Sequence, residues 1–402
     1  MTKNKDGRPN HWGWGRAGMA GITVAGALVC AALEAAAQPA PNVVAWGTFA
    51  PMYDGGFAGA VTAPIWATNV VTAAIGFDHA IAIRADGSVT GWGDDTFGQT
   101  DPPPGLGSAV AVSSGSGCSL AVQAGGAVFA WGLSVSQTSL PSGLTEAVTA
   151  GAFGAAFSTY GEYFMALGAD HTVTLWPAGV HEEPLAGLTN AVAIAGGTWH
   201  HLALRSDGTV AVWGEGLDIG ANLSVPPGLT NAVAIAAGAY FSMALTAEGT
   251  VVAWGDGSQG QTNVPPDLTN AVAIAAGDYH GLALRSDGTV IAWGWDAYGQ
   301  TNVPAELSNV VSIAAGALAS IAILGPAMPP SQVPVTNVAF GAGGFTAAIP
   351  TDLGHVYALE YKTSLADTQW TPLPLVAGTG GLTALSDPTA SPGQRFYRVR
   401  RW

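Results

Sequence analysis

The chain has 402 residues, 49% of them hydrophobic and 10% charged, with 56 glycines and a formal charge of -15. Disorder accompanies low hydrophobicity and high charge density, so a disordered tail is excluded and the chain must fold. Glycine stands at about twice its usual ~7% and charge at under half its usual ~25%, with no Gly-X-Y period, which excludes collagen and favours repeated tight turns over a helical bundle.

In chain order, Lys3, Lys5, Arg8 and Arg16 form a basic start, Ala17 to Leu33 is apolar, and Ala35-Ala36-Ala37 before Gln38 reads as a cleavage site. Residues 1–37 are therefore expected to be an export signal that sends the mature chain to the periplasm, cell surface or medium, with no membrane span left after cleavage. Cleavage there leaves Cys118 as the single cysteine, so no intramolecular disulfide is available and stability must come from packing. Over residues 38–324 only Arg84, Arg205 and Arg285 stand against 21 acidic side chains, whereas residues 325–402 hold five basic residues and four acids. The first stretch repels phosphate backbones, so no nucleic acid partner is expected. The shift in charge marks two modules.

From residue 42 the chain repeats itself. Copies open at Asn69, Ser108, Glu146, Asn190, Asn231 and Asn270, the last three spaced by 41 and 39 residues. A further copy is divided: Asn309 opens a half that stops at Leu324 before any Trp-Gly, and Asn42 opens a Trp-Gly strand with no preceding half. Each lacks what the other has. The expected fold is all-β, a seven-bladed β-propeller over residues 42–324 closed by the N-terminal strand, since closure removes the free sheet edges. Within a copy, AVAIAAG is a short apolar run that suits a strand buried on both faces, its alanines admitting a neighbouring blade. GLALRSDGTVIAWG is two alternating runs joined across an Asp-Gly hairpin. The Pro- and Asn-rich segment from Gly260 to Asn270 reads as a surface loop.

The recurrent G-x-x-H-x-L-A-L-x-x-D-G-x-V-x-x-W-G resembles the repeat of the regulator of chromosome condensation family, over residues 42–324, here as a bacterial exported member. The resemblance implies a seven-bladed propeller whose blade motif is structural and whose function lies in loops on either face, typically protein recognition. The founding member's nucleotide exchange on a small GTPase and its nucleosome binding depend on a wedge insertion and basic contacts. This propeller is short-looped and acidic, so neither role is expected.

Residues 325–334, GPAMPPSQVP, read as a semi-rigid spacer. Residues 335–402 show short alternating strands at turn-punctuated spacing, which suggests a small C-terminal β-sandwich. The string Y-A-L-E-Y-K-T-S-L followed by R-F-Y-R-V-R resembles small C-terminal modules of large exported bacterial proteins, which implies a role in surface attachment or sorting.

His79, His200 and His280 share one repeat position, and from separate blades they cannot converge on one ion. Each ring is expected to bond backbone within its own blade. Cys118 and Phe241 take the same position, which argues for a packed site and against a reactive thiol. Trp46, Trp92, Trp131, Trp213, Trp254 and Trp293 recur in every blade and read as core or inter-blade contacts, not sugar platforms. Loops after Trp-Gly are acidic, Asp94 and Asp95 foremost, without the ligand run of a Ca²⁺ loop. The stretched fourth copy departs most from its siblings. Phe153, Tyr160, Tyr163, His181, Glu182 and Glu183, with Asp94 and Asp95, are therefore the candidate recognition residues. No Ser-His-Asp elbow, phosphate loop or H-E-x-x-H is present, so no catalytic residue, metal ligand or cofactor is expected. The expected function is an exported, monomeric, non-catalytic recognition scaffold for a protein or surface glycan. Its rivals are a polysaccharide lyase or hydrolase, which needs clustered charged groups in the central channel, and a structural surface or adhesion component.

Overall fold

The structure is a computed structural model. It describes residues 41–49, 59–133, 140, 141, 144, 146–153, 163–177, 185, 187–214, 223–325, 335–341, 344–367, 369–390 and 395–402. Among the described residues every regular element is a β-strand, and no helix is long and apolar enough to cross a membrane.

Strand β1 is Val43–Gly47, followed by β2 (Val70–Ile75), β3 (His79–Arg84), β4 (Val89–Gly93), β5 (Ala109–Ser114), β6 (Cys118–Gln123) and β7 (Val128–Gly132). The stretched copy gives β8 (Ala147–Phe153), β9 (Tyr163–Gly168) and β10 (Val173–Trp176). Then come β11 (Ala191–Gly196), β12 (His201–Arg205), β13 (Val210–Trp213), β14 (Ala232–Ala237), β15 (Phe241–Thr246) and β16 (Val251–Gly255). The repeats end with β17 (Ala271–Ala276), β18 (His280–Arg285), β19 (Val290–Gly294), β20 (Val310–Ala315) and β21 (Ala319–Leu324). Six three-stranded antiparallel sheets use consecutive strands from β2 to β19, and another has the order β1-β21-β20. In that sheet β1 pairs with β21 from Val43↔Ile323 to Gly47↔Ala319.

The Asp-Gly turns form for a local reason. Gly87, Gly208 and Gly288 have φ of 82°, 81° and 83°, which an L side chain rarely adopts. The aspartate before each glycine accepts from the backbone N–H two residues on, at Ser88, Thr209 and Thr289 (2.9–3.0 Å). The glycine that follows each first strand has a different reason. A Cβ on Gly197 would overlap the carbonyl oxygen of Gly238, one on Gly238 that of Gly277, one on Gly277 that of Gly316, and one on Gly316 that of Gly76. Consecutive sheets thus meet backbone to backbone, and the last of these steps joins the β20 sheet to the β2 sheet.

Burial corrects the reading of the AVAIAAG strands. The middle strands are the ones buried on both faces, β3, β6, β9, β18 and β21 each presenting five buried residues in succession. The AVAIAAG strands are half-buried, because one face borders a channel lined by residues from β2, β5, β8, β11, β14, β17 and β20. Their alanines keep that channel open while seven strands converge on it.

After Gly325 the chain adds β22 (Thr336–Gly341), β23 (Gly344–Pro350), β24 (Val356–Lys362), β25 (Thr371–Ala377), β26 (Leu382–Asp387) and β27 (Phe396–Arg401). They form two three-stranded sheets, β22-β23-β26 and β25-β24-β27. Ile349, Tyr357, Leu359 and Leu385 pack between them, beside Phe345 stacked on Tyr397 at 3.9 Å. The module is docked on the hairpin end of the repeats. Gly354 N donates to Val192 O (2.9 Å), Leu375 N to Ala247 O (2.8 Å) and Arg400 Nη1 to Ser286 O (3.3 Å). Val356, Ala358 and Leu375 share one apolar core with Val233 and Leu245. The basic character of the module is consumed mostly inside it, Arg398 pairing with Glu360 (2.5 Å) and Arg401 with Asp352 (2.8 Å).

Candidate functional site

The shared histidine position is a clasp between sheets. His79 Nε2 lies 2.8 Å from Ser119 Oγ, His200 Nε2 2.8 Å from Ser242 Oγ and His280 Nε2 3.0 Å from Ser320 Oγ. Each serine belongs to the next sheet, so the expectation of a bond to backbone within the same blade is corrected: the ladder already occupies that backbone, His280 for example pairing with Gly294, and the ring faces the neighbour. Ser320 Oγ also donates to Gln300 O (2.9 Å), which leaves His280 Nε2–H as the donor to the serine. Trp131, Trp293 and Trp46 donate their indole N–H to Gln99 O, Gln261 O and Gln300 O of the preceding sheet (2.9 Å each). These three tryptophans are thus inter-blade contacts, and Trp92, Trp213 and Trp254 are buried like them. Burial pushes His200 and His280 down to about 4, so both rings are neutral at neutral pH.

One clasp has the composition of a hydrolytic triad. His79 Nδ1 lies 2.7 Å from Asp78 Oδ1, and its Nε2 lies 2.8 Å from Ser114 Oγ as well as Ser119 Oγ. Two observations set it beside the packing contacts of the other copies. The His–Ser contact recurs at His200 and His280 with no carboxylate behind the ring, at Trp199 and Tyr279. Burial also pushes the Asp78 carboxyl up, against the charged form that would stabilise an imidazolium.

The channel has a volume of about 330 Å³ and is walled mostly by alanine, glycine, isoleucine and serine. Asp278 is the one ionisable side chain among its described lining residues. It is half-buried at one mouth, where desolvation pushes its carboxyl up to about 6. That lone group gives no cluster of carboxylates with which to cleave a polysaccharide.

Around this mouth runs a track of half-buried and exposed aromatic rings. Trp199 stacks on Tyr240 at 6.4 Å, Tyr240 lies 6.3 Å from Tyr279, Tyr279 meets Trp295 edge-on at 5.8 Å, and Trp295 meets Tyr298 edge-on at 5.4 Å. The first three sit in the turns leading into β12, β15 and β18, and the last two in the loop after β19. Trp295 N donates to Tyr279 O and Asp256 N to Tyr240 O (2.9 Å each), which sets the two kinds of loop side by side. Burial first, then Asp278, Tyr240 and Asp256, push the Tyr279 hydroxyl up, so these groups surround it. Asp94, Asp95 and Asp296 follow Trp-Gly in the same way. The arginines Arg84, Arg205 and Arg285 end β3, β12 and β18 at the opposite end.

The predicted recognition residues fare unequally. Asp94 and Asp95 lie on this face, where Asp94 accepts from Thr96 Oγ1 (2.6 Å) and Asp95 from Thr100 N (2.9 Å), capping their own loop. Tyr163 is corrected: it is fully buried and donates its hydroxyl to Gly197 O (2.5 Å), because it occupies the clasp position of its sheet. Phe153 ends β8, and its side chain lies outside the described residues, as do Tyr160, His181, Glu182 and Glu183. Among the described residues no group of three or more His, Cys, Asp or Glu could hold a metal ion. Sequence reasoning missed the aromatic track. Its signal is the residue before the clasp position, aromatic in three consecutive copies (Trp199, Tyr240, Tyr279) where others carry Asp78, Gly117 or Leu318.

Comparison with curated proteins finds no match. Residues 70–99, 232–261 and 271–300 match the family model for the regulator of chromosome condensation (RCC1) repeat, each ending on a buried glutamine whose carbonyl accepts from a tryptophan of the next sheet. The fold is similar to that of Prp20p from Saccharomyces cerevisiae, studied for its binding to Gsp1p and histones (TM-score 0.52, 16% identity, 72% of this chain and 93% of that one). It is similar also to human WBSCR16 (0.50, 16%, 70% and 98%) and to the ectodomain of the Physcomitrella patens receptor kinase CR4 (0.51, 19%, 66% and 74%). The chain therefore carries RCC1 repeats on an RCC1-like β-propeller fold.

Proposed function

We propose that the protein is an exported, monomeric, non-catalytic recognition scaffold that presents one face of a closed seven-bladed propeller to a protein or surface glycan. In this reading β1 closes the ring, and residues 335–402 form a β-sandwich that covers the other face. Export rests on the basic and apolar composition of residues 1–37. Closure is supported by the pairing of β1 with β21 and by the backbone approach of Gly316 to Gly76.

The observation that carries the reading is the inequality of the two faces. One is occupied by the C-terminal module, and the other displays five neighbouring aromatic rings around the channel mouth. Aromatic rings with partly exposed faces are characteristic of recognition surfaces, because they offer large rigid contact area. The test compares capture from cell-surface and medium fractions by the wild type, by Tyr240→Ala with Tyr279→Ala, and by Asp267→Asn at the hairpin end. Loss of the captured species only with the tyrosine variant is expected. Capture that survives that variant overturns the assignment of the face. A reporter fused to residues 1–37 that stays inside the cell overturns export.

A further inference from the structure

We propose that the open face binds a polypeptide segment through its arginine and lysine side chains, held on the track from Trp199 to Tyr298 against Asp256, Asp278 and Asp296. This deepens the recognition reading above and rests on it. The occupant follows from charge complementarity. Described loops on this face carry Asp94, Asp95, Asp256, Asp278 and Asp296 and no lysine or arginine, since the three arginines of residues 42–324 lie at the opposite ends of their strands.

Asp94, Asp95, Asp256 and Asp296 each accept a hydrogen bond from their own loop. Asp278 differs: among the described residues its carboxylate has no hydrogen-bond or ion-pair partner, although it is half-buried beside Tyr279. A desolvated carboxylate without a partner is costly, and an incoming cation would relieve that cost. The rings work in the same direction, because the negative face of Trp or Tyr attracts guanidinium and ammonium groups. The excess of acid over the whole repeat region, 21 carboxylates against three arginines, steers such a segment toward the protein from a distance. A neutral glycan would stack on the rings and offer hydroxyl donors to the carboxylates but would bring no charge to balance theirs, and an anionic one would be repelled. The half-buried Asp278 at the channel mouth gives one basic side chain a deeper seat than the others.

The test is calorimetric titration of the full chain with three probes: a short synthetic peptide of alternating arginine and glycine, the same peptide with glutamate in place of arginine, and a cellulose oligomer. The arginine peptide is expected to bind, more weakly as salt is added, and the glutamate peptide not to bind. Tyr240→Leu with Tyr279→Leu keeps apolar area while removing two π faces, and is expected to weaken the arginine peptide by about tenfold. Asp256→Asn, Asp278→Asn and Asp296→Asn together should weaken it at least as much, whereas Asp267→Asn at the hairpin end should leave it unchanged. Binding of the cellulose oligomer alone, abolished by the tyrosine variant, overturns the basic-segment inference and leaves the face as the recognition surface. Equal binding of the glutamate peptide overturns the inference too. Binding by no probe, or binding that no open-face substitution alters, overturns both.

Discussion

The two ends of the repeats are built from the same strands and differ in what their loops are allowed to vary. At the hairpin end the turns are near copies, Ala85-Asp86-Gly87-Ser88 beside Ser206-Asp207-Gly208-Thr209 and Ser286-Asp287-Gly288-Thr289, each capped by its own aspartate. A uniform end makes an even platform, and the C-terminal module lies on it. At the open end the two residues after the inter-sheet glycine change from copy to copy: Phe77-Asp78, Ser116-Gly117, Thr198-Trp199, Ala239-Tyr240, Asp278-Tyr279, Ala317-Leu318. The clasps lie just beneath, so the variable residues stand on a part of the scaffold cross-linked between sheets. Uniformity carries the architecture, and variation is confined to the face proposed above for recognition.

The largest effect should come from removing the strand that supports the open end at the junction of first and last repeats. Deleting residues 42–47 exposes the edge of β21 and loses Trp46 and its bond to Gln300. A loss of more than about 5 kcal/mol is expected in chemical denaturation, close to unfolding for a protein of ordinary stability. An unchanged midpoint would refute the closed ring.

Acid should be the next strongest agent, and it acts on the clasps. His200 and His280 sit at about 4 in the folded protein against about 6.5 when unfolded, so between those values the unfolded chain binds more protons and stability falls as pH falls. Each histidine contributes about 3 kcal/mol to that loss. Asp278, raised to about 6, titrates with the opposite sign over part of the same range. A net loss of about 4 kcal/mol between pH 7 and pH 4 is expected from urea melts. His200→Gln with His280→Gln should flatten the profile.

At the covered end, Leu375→Ala should cost about 2 to 3 kcal/mol through the cavity it leaves against the repeats, and should speed proteolysis within residues 325–334. Equal proteolysis of variant and wild type would mean that the docking does not depend on that core. The smallest effect has the opposite sign. Asp278→Asn removes a desolvated charge, and since solvent reaches part of the group, a gain of about 1 to 2 kcal/mol at neutral pH is expected. A destabilised Asp278→Asn protein would show that the carboxylate is satisfied in the scaffold and is not held ready for a ligand.

Much of the fold was legible because its causes are local. The Asp-Gly turns and the Trp-Gly strand ends are each set by a few neighbouring residues, and the pairing of β1 with β21, although nearly the whole repeat region separates them, was legible from what each half of the split copy lacks. The clasp partners were less visible because each bond runs some 40 residues forward into the next copy. A trace exists all the same. His79, His200 and His280 are followed in the next copy by Ser119, Ser242 and Ser320, while Cys118, Tyr163 and Phe241 are followed by Phe164, His201 and Gly281. A histidine thus predicts a serine one repeat later, which only a comparison between neighbouring copies reveals. Tyr163 misled for a related reason: the stretched loop before it hides its register, and only the pairing with Phe153 shows that it occupies the clasp position. The aromatic track was passed over because each ring sits alone in its own copy, and only the arrangement of the blades makes them neighbours.

The side-chain amide of Asn42 donates both to Val70 O and to Leu324 O, and the second bond spans 282 residues. Such a contact is among the slowest to form, because the chain must bring its ends together before the contact returns any stability. A ribosome or a translocation pore releasing this chain from its N-terminus delivers β1 first and its partner β21 last. Until Leu324 emerges, the earlier repeats can pair internally while β1 waits without its sheet. Under the proposed export, that delay would defer completion of the ring until the repeats have passed through the membrane.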